Sequence, residues 1–303
     1  MKKFSEDSKR KLGYSIVYLA HNVEDLSKSK LIKLLYLMEE TMVFRYQAPF
    51  LALQYEVWQY GPVAKEIYVG FSNTPTILRD YVYTSATEDG TYIYPNREFD
   101  AADFNELEME VMATVVHDFG RLKARELKDI THRPDGLWYK KAQSKGLLEA
   151  FERQECTSSD EEIDFAELLS VELRPLYRKR LDEVEDVNNL KIKFQEFEHY
   201  ERGWDGEDAL PLTVEVKENF RQVLRTADAT SLSNIMIFPE ENGALSIEAK
   251  NRQAGLSLGN TSYSYYTIVD NHGDGKSHVP FTPESVSELL RSFFPCRHLY
   301  HGS

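Results

Sequence analysis

The sequence predicts a multidomain protein with a mainly α N-terminal domain that contains a small β-hairpin, followed by a smaller α+β C-terminal domain with antiparallel strands. The length of 303 residues is about twice that of a common single domain. Up to about residue 200, apolar residues recur at the helical spacing of three and four. Beyond it, short alternating runs are separated by glycine-containing turns, which is typical of strands. The boundary therefore falls between about 181 and 200, and we assign the domains to 1–185 and 186–303.

Two helical patterns begin the chain. The first places four apolar side chains on one stripe: Leu12, Ile16, Leu19 and Val23. The second forms a longer stripe: Leu31, Leu34, Leu35, Met38 and Met42. Ser27 or Ser29 is expected to cap the second helix. Its lysines are expected on its outer side: Lys28, Lys30 and Lys33.

An extended aromatic segment follows from Phe50 to Tyr60, and Gly61-Pro62-Val63 is expected to form a turn because proline fixes its own φ and restricts the preceding residue. A short helix is predicted for 64–71. Residues 81–94 alternate aromatic and polar side chains around Glu88-Asp89-Gly90, which predicts a β-hairpin.

The next segment predicts two helices. Asp103 and Glu106 have the spacing of a capping box, which would open a helix that ends at Gly120. A second helix is predicted for 124–130. The neighbouring carboxylates Glu39 and Glu40 point apart on the earlier helix, and we expect both to be solvated.

The C-terminal part begins with a turn at 203–206 and a helix at 213–227. Two short runs, 235–238 and 245–248, predict a hairpin across a Glu-Glu-Asn-Gly turn. A second strand pair is predicted at 256–258 and 263–269. An apolar stripe predicts a closing helix at 283–294.

Charge and composition exclude several classes of protein. The net charge is −14, and the excess of acidic residues lies beyond residue 60. Phosphate backbones and anionic lipids would be repelled, so nucleic acid is an improbable partner. Without an apolar run of membrane-spanning length or a signal-type start, we expect a cytoplasmic protein. Cys156 and Cys296 suit free thiols in a reducing compartment.

A catalytic constellation is missing from the sequence. Nucleotide-binding glycine motifs, zinc-binding His-Glu-x-x-His and the Gly-x-Ser-x-Gly nucleophile motif do not occur. A hydrolase that uses the region of His117 and His132 is the remaining enzymatic alternative. We therefore expect a protein that is not an enzyme and that needs no metal or other cofactor.

Three motifs, taken in their order and spacing, resemble the Panacea domain, the SocA-like antitoxin family of prokaryotic and phage toxin–antitoxin systems. The first two are Lys33-Leu34-Leu35-Tyr36 and Trp58-Gln59-Tyr60-Gly61-Pro62-Val63, which is followed by Tyr68. The third is Phe119-Gly120 with Glu126-Leu127, Thr131-His132 and Trp138. The resemblance covers about 8–145. It departs from the pattern in a long hairpin insertion at 81–99 and in Arg133-Pro134-Asp135-Gly136.

This resemblance implies an antitoxin that neutralises a cognate protein toxin by direct binding. We expect the motif residues to contribute to the partner-binding site: Lys33, Tyr36, Trp58, Tyr60, Gly61, Pro62, Val63, Tyr68, Thr131, His132 and Trp138. Trp58 and Tyr60 are the candidate anchors, because aromatic rings dominate binding hot spots. The acidic flanks favour a toxin with a basic surface.

Other readings stay open at this stage. The protein is alternatively a proteolytic adaptor that delivers the toxin to a cytosolic protease, or a DNA-binding autorepressor with a basic cluster at 2–11 and 28–33. Self-association is a further possibility. The segment Gly203-Trp204-Asp205-Gly206 with Pro211 resembles an uncharacterised bacterial Trp-Asp-Gly module, which implies no function.

Overall fold

The computed structural model describes residues 4–71, 78–270 and 272–294. Lys2, Lys3 and Cys296, which entered the predictions above, lie outside these residues. The chain divides into two compact units, Met1–Leu181 (unit 1) and Asp182–Ser303 (unit 2). Unit 1 is helical with two small hairpins, and unit 2 contains a five-stranded antiparallel sheet, so the predicted fold class is confirmed.

Unit 1 contains helices, two strand pairs and one short 3-10 helix. Its helices are α1 (Glu6–Asn22), α2 (Lys28–Tyr46), α3 (Lys65–Gly70), α4 (Glu106–Phe119), α5 (Ala124–Thr131), α6 (Leu137–Ser144) and α7 (Leu147–Glu152). Its strands are β1 (Glu56–Trp58), β2 (Gly61–Val63), β3 (Val82–Thr87) and β4 (Gly90–Pro95), and the 3-10 helix spans Phe165–Leu168. Helix α8 (Arg174–Glu198) contains the boundary between the units.

Helix α2 is the central element of unit 1. It contacts α3, α4, α5, β2, β4 and the 3-10 helix, and residues 30–40 are buried without interruption. A helix that is surrounded in this way buries all its faces, including positions that amphipathic periodicity assigns to solvent. The Ser27 side chain caps it by accepting a hydrogen bond from the Lys30 amide. The alternative cap, Ser29, is wrong.

The strands β1 and β2 form a tight antiparallel hairpin in which Trp58 pairs with Gly61. The turn is made by Gln59 and Tyr60, so the prediction that Gly61-Pro62-Val63 is the turn is wrong: these residues are the second strand. Proline is tolerated there because β2 is an edge strand. The other edge of the hairpin is covered, because the Val57 and Gln59 amides donate to the Glu161 and Thr157 carbonyls.

The predicted hairpin at 81–94 is confirmed as β3 and β4, with Glu88 and Asp89 at its turn. The predicted capping box at the start of α4 is wrong in register. Asn105 caps the helix with Glu108 as its reciprocal partner. Asp103 instead accepts two hydrogen bonds from Arg10 of α1, a contact between distant residues that the local spacing does not reveal.

Unit 2 is an antiparallel meander with helices. Its helices are α9 (Val214–Thr226), α10 (Ala229–Ser233) and α11 (Pro283–Phe293). Its strands are β5 (Ile235–Pro239), β6 (Leu245–Ala249), β7 (Ala254–Leu258), β8 (Ser262–Val269) and β9 (His272–Pro280), paired in that order. Strand β9 was not predicted, because its residues are exposed and polar and so lack the alternation that marks a half-buried strand.

The core of unit 2 is apolar. Phe220 of α9 packs edge to face on Phe194, with 4.7 Å between the ring centroids. Strand residues Ile237, Ile247 and Leu258 contribute to the same cluster. The Trp-Asp-Gly segment is a loop in which Trp204 Nε1 donates to the Leu210 carbonyl at 2.9 Å. Among the helices of the described residues, none has both the length and the apolar character needed to span a bilayer.

Candidate functional site

The motif residues converge from three parts of unit 1: α2, the β1–β2 hairpin, and the segment from α5 to α6. The three parts approach one another most closely at Gly61. Its φ is +121°, and an added Cβ would lie 3.3 Å from Thr131 Oγ1, 3.4 Å from His132 Cε1 and 3.5 Å from Lys33 Cε. Glycine is needed here both for the backbone conformation and for the space. Residues from all three motifs therefore meet around Gly61.

Two rings hold the hairpin in place. Trp138 Nε1 donates a hydrogen bond of 3.0 Å to the Trp58 carbonyl. His132 packs on Trp138 with 3.6 Å between ring centroids, and its Nε2 lies 3.3 Å from the Gln59 carbonyl oxygen. The backbone at the start of the hairpin turn is thus fixed by side chains that lie more than 70 residues away in the sequence.

The surroundings of His132 favour its neutral form. Burial lowers the pKa of His132, and the positive charges of Lys128 and Lys33 act in the same direction. Its hydrogen bonds to the Gln59 and Lys128 carbonyl oxygens oppose this shift without reversing it. A neutral imidazole donates through one nitrogen only, and the 2.7 Å contact from Nδ1 to the Lys128 oxygen is the shorter of the two.

Lys33 lies inside this cluster, so the prediction that it faces outward on α2 is wrong. Its residue exposure is 5%, and Lys30 is buried as well. Among the described residues, the hydrogen-bond partner of Lys33 Nζ is Ser29 Oγ at 3.1 Å. Burial, with repulsion from Lys128, lowers the pKa of Lys33 from 10.5 to about 8. The ammonium is therefore held in a site that disfavours its charge.

Tyr36 belongs to a different buried network. Its hydroxyl donates to Glu40 Oε1 at 3.1 Å, and Arg133 Nη2 lies 2.9 Å from Glu40 Oε2. The pKa of Tyr36 is raised well above its usual value by burial and by Glu40. Arg133, in the segment that departs from the family pattern, thus ties the loop after α5 to α2.

The prediction that Glu39 and Glu40 are solvated is wrong. The two side chains do point apart, but both are buried. Glu39 accepts hydrogen bonds from the Phe50 and Leu51 amides at 3.0 and 2.9 Å and so fixes the chain reversal after α2. Burial raises the pKa of Glu39, and these backbone hydrogen bonds oppose the shift.

The motif separates into buried and accessible residues. Tyr36, Gly61, Pro62, Val63, Thr131 and Trp138 are buried. Tyr60 is 63% exposed and Tyr68 is 38% exposed, whereas Trp58 is half-buried against Tyr68 with 5.0 Å between ring centroids. The two exposed tyrosines are the motif residues most accessible to a partner.

Lysines accompany the exposed rings. Lys28 Nζ lies 3.5 Å from the centroid of Tyr68, and Lys128 Nζ lies 5.2 Å from that of Tyr60. Sequence reasoning missed Lys128 and Ser29 as site residues. The signal was present in the spacing, because each lies four residues before a motif residue, His132 and Lys33, on the same helical face.

His117 lies in other surroundings. It is exposed at the end of α4, with Nδ1 2.8 Å from Asp118, and it borders a groove of about 1010 Å³ with Arg121 and Lys123. The partners that the structure describes for the rings of His117 and His132 are different residues. Among the described residues, no group of three or more metal-binding side chains occurs. The hydrolase alternative gains no support from this arrangement.

The segment that carries the motif residues was compared with known protein families. Residues 31–139 match the family model described as antitoxin SocA-like, Panacea domain. This segment is therefore similar to the Panacea domain. The predicted resemblance is confirmed for that range, which includes the motif positions from Lys33 to Trp138. No curated protein and no solved structure matches the chain. The resemblance of the Trp-Asp-Gly segment to a second module stays a prediction.

Proposed function

We propose that this protein is an antitoxin that neutralises a cognate protein toxin by direct binding, without chemistry of its own. The match of residues 31–139 to an antitoxin domain family carries the proposal. In this assignment 1–185 is the neutralising domain and 186–303 is an accessory domain. Both partners meet in the cytoplasm, and the net charge of −14 speeds the encounter with a toxin whose surface is mainly basic.

The exposed face of the motif cluster is the proposed toxin contact. Tyr60 is its most exposed ring, and the hairpin that carries it is fixed by Trp138 and His132. An exposed aromatic side chain on a fixed backbone loses little conformational freedom on binding, which suits a hot spot. The buried motif residues Gly61, Thr131 and Trp138 hold this ring in position.

Co-expression with the product of the neighbouring reading frame tests the proposal. Growth should be arrested by that product alone and restored by this protein, and the two should co-purify. Tyr60→Ala should weaken the complex by about 30-fold, the loss typical of a hot spot. Tyr83→Ala is the matched control, because Tyr83 is an exposed tyrosine of the other hairpin in unit 1. A harmless product, or one that stays toxic beside this protein, would refute the antitoxin function.

The same co-expression experiment, repeated in a host that lacks the cytosolic protease, separates direct neutralisation from proteolytic delivery. An adaptor loses its protective effect in a host that lacks the cytosolic protease, whereas a protein that masks the toxin keeps it. Burial of Lys30 and Lys33 removes two lysines from the basic cluster on which autorepression would depend. A gel shift on the upstream DNA across a salt series tests what remains of that alternative, since phosphate contacts require a steep salt dependence.

A further inference from the structure

Among the described residues, the ammonium groups of Lys33 and Lys128 have no carboxylate as an ion-pair partner. Lys33 is 5% exposed, and the charged group that acts on it is Lys128, which repels it. The ammonium is not sealed off, because Ser29, which accepts its hydrogen bond, is exposed. Buried lysines are normally paired, since desolvation of an ammonium costs several kcal/mol. A ligand that carries negative charge would supply the missing partner.

The start of α2 adds positive charge, although the carboxylates of Asp25 and Glu24 partly offset that of Lys30. Its first turn contains no acidic residue and instead carries Lys28 and Lys30, although the N-terminus of a helix already bears a partial positive charge. The opposing end of α5 contributes little negative charge, because the Lys128 carbonyl already accepts from Thr131 Oγ1 and from the His132 amide. The start of α2 therefore favours an anion here, and the end of α5 opposes it only weakly.

The exposed side chains around these lysines indicate which kind of anion would bind. Tyr60 and Tyr68 are exposed beside Lys128 and Lys28, and Trp58 packs on Tyr68. Aromatic rings next to ammonium groups suit a peptide, whose carboxylate meets the lysines while its apolar atoms cover the rings. A bare phosphate would use the lysines and leave the rings exposed.

We propose that Lys33 and Lys128, with Tyr60 beside them, form a binding site for a carboxylate of an acidic segment of the toxin. This inference rests on the proposed antitoxin function and specifies its central contact. The toxin would then present an acidic segment to the motif cluster within a surface that is otherwise basic. Since an ammonium binds an anion only while protonated, affinity should fall as pH rises through about 8, the pKa of Lys33. Lys128 and His132 are the other titratable groups that face Lys33.

The site is tested on the full-length protein with a tetraglutamate peptide as probe, followed by NMR of the lysine ε-carbons and the His132 ring. We expect saturable binding that moves the Lys33 and His132 signals. Lys33→Met and Lys128→Met should each weaken it at least tenfold, Lys33→Arg should retain most of it, and Lys123→Met, an exposed lysine of the same α5 region, should leave it unchanged. Raising the pH from 7 to 9.5 should weaken it as well.

Several results would overturn the proposal. These are absence of peptide binding, equal binding by the Met variants and the wild type, or binding of inorganic phosphate without binding of the peptide. Co-expression separates this proposal from the antitoxin function. If Lys33→Met and Lys128→Met lose the peptide but still neutralise the toxin, the carboxylate site is not the toxin contact and the antitoxin function stands. If the wild type binds the peptide but does not neutralise, the antitoxin function fails.

Discussion

Among the described residues, unit 1 buries five charged side chains, Lys30, Lys33, Glu39, Glu40 and Glu108, whereas the buried polar residues of unit 2 are uncharged: Asn188, Ser231, Ser233 and Ser287. Unit 1 also holds the Tyr55 hydroxyl, which is buried without a hydrogen-bond partner among the described residues. Buried charge is costly unless it is paired, so unit 2 follows the usual rule for a stable core and unit 1 departs from it.

The departures in unit 1 are of two kinds. Glu39, Glu40 and Glu108 are paired with amides, a hydroxyl or basic groups, and they fasten α2 and α4 to their neighbours. Lys33 has only a serine hydroxyl as its described partner and is repelled by Lys128. Strain of this kind concentrates at functional sites, where a residue is kept for a task other than stability. Four substitutions test this difference between the units.

The largest effect is expected from Phe220→Ala in unit 2. This ring is fully buried, and its removal should lower the free energy of unfolding of that unit by about 4 kcal/mol. Guanidinium unfolding followed through Trp204, in a background that lacks Trp58 and Trp138, reports on unit 2. Val214→Ala, at an exposed position of the same helix, should change little. A small effect of the Phe220 substitution would mean that unit 2 does not depend on its apolar core.

In unit 1, removal of the buried carboxylate of Glu39 should lower the free energy of unfolding almost as much. Glu39→Ala leaves the buried Phe50 and Leu51 amides without their acceptor and should cost about 3 kcal/mol. Glu39→Gln retains one acceptor oxygen and should cost roughly half as much. The measurement is unfolding followed through Trp58 and Trp138 in a background without Trp204. Equal stability of the Ala variant and the wild type would contradict a fastening role for Glu39.

Lys33→Met should have the opposite effect and raise the free energy of unfolding. A pKa lowered from 10.5 to about 8 corresponds to about 3 kcal/mol of unfavourable energy for the charged form, so at pH 7 the variant should be about 2 kcal/mol more stable than the wild type. Between pH 8 and 10.5 the unfolded chain binds more protons than the folded one, so the wild type regains stability as pH rises through this window and the difference shrinks.

Denaturant unfolding at pH 7, 9 and 10.5 measures this convergence. Lys123→Met, which replaces an exposed lysine, provides the control and should show neither the gain nor the pH dependence. A destabilising Lys33→Met substitution would show that the ammonium contributes to the fold and would remove the main distinction between Lys33 and the paired glutamates.

The smallest effect is expected from Gly61→Ala. The φ of +121° and the proximity of Thr131 and His132 should cost about 1.5 kcal/mol. Gly70→Ala is the matched control, because an added Cβ there meets no atom within 4 Å. Unfolding through Trp58 and Trp138 measures both. Equal stability of the two variants would mean that the β1–β2 hairpin can move away from the end of α5 without a loss of free energy.

Local sequence patterns were sufficient to predict those structural features that depend on neighbouring residues. The stripe from Leu12 to Val23, the hairpin at 81–94 and the end of α4 at Gly120 were predictable because periodicity and turn chemistry act over a few residues. The capping box at α4 was misplaced by two residues, since Asp103 and Asn105 are both suitable caps and the pairing of Asp103 with Arg10 selects between them.

The sequence by itself determined the helical character of unit 1, the strand character of unit 2 and the similarity of residues 31–139 to an antitoxin family, because these follow from local spacing and from a motif order that needs no coordinates. Only the tertiary structure decided that Lys33 and Glu39 are buried. Their exposure depends on β2, α4 and α5, which cover α2 on faces that its own periodicity assigns to solvent. Long-range packing therefore buried two lysines of an expected solvent face, Lys30 and Lys33, and brought Lys33 into the candidate binding site.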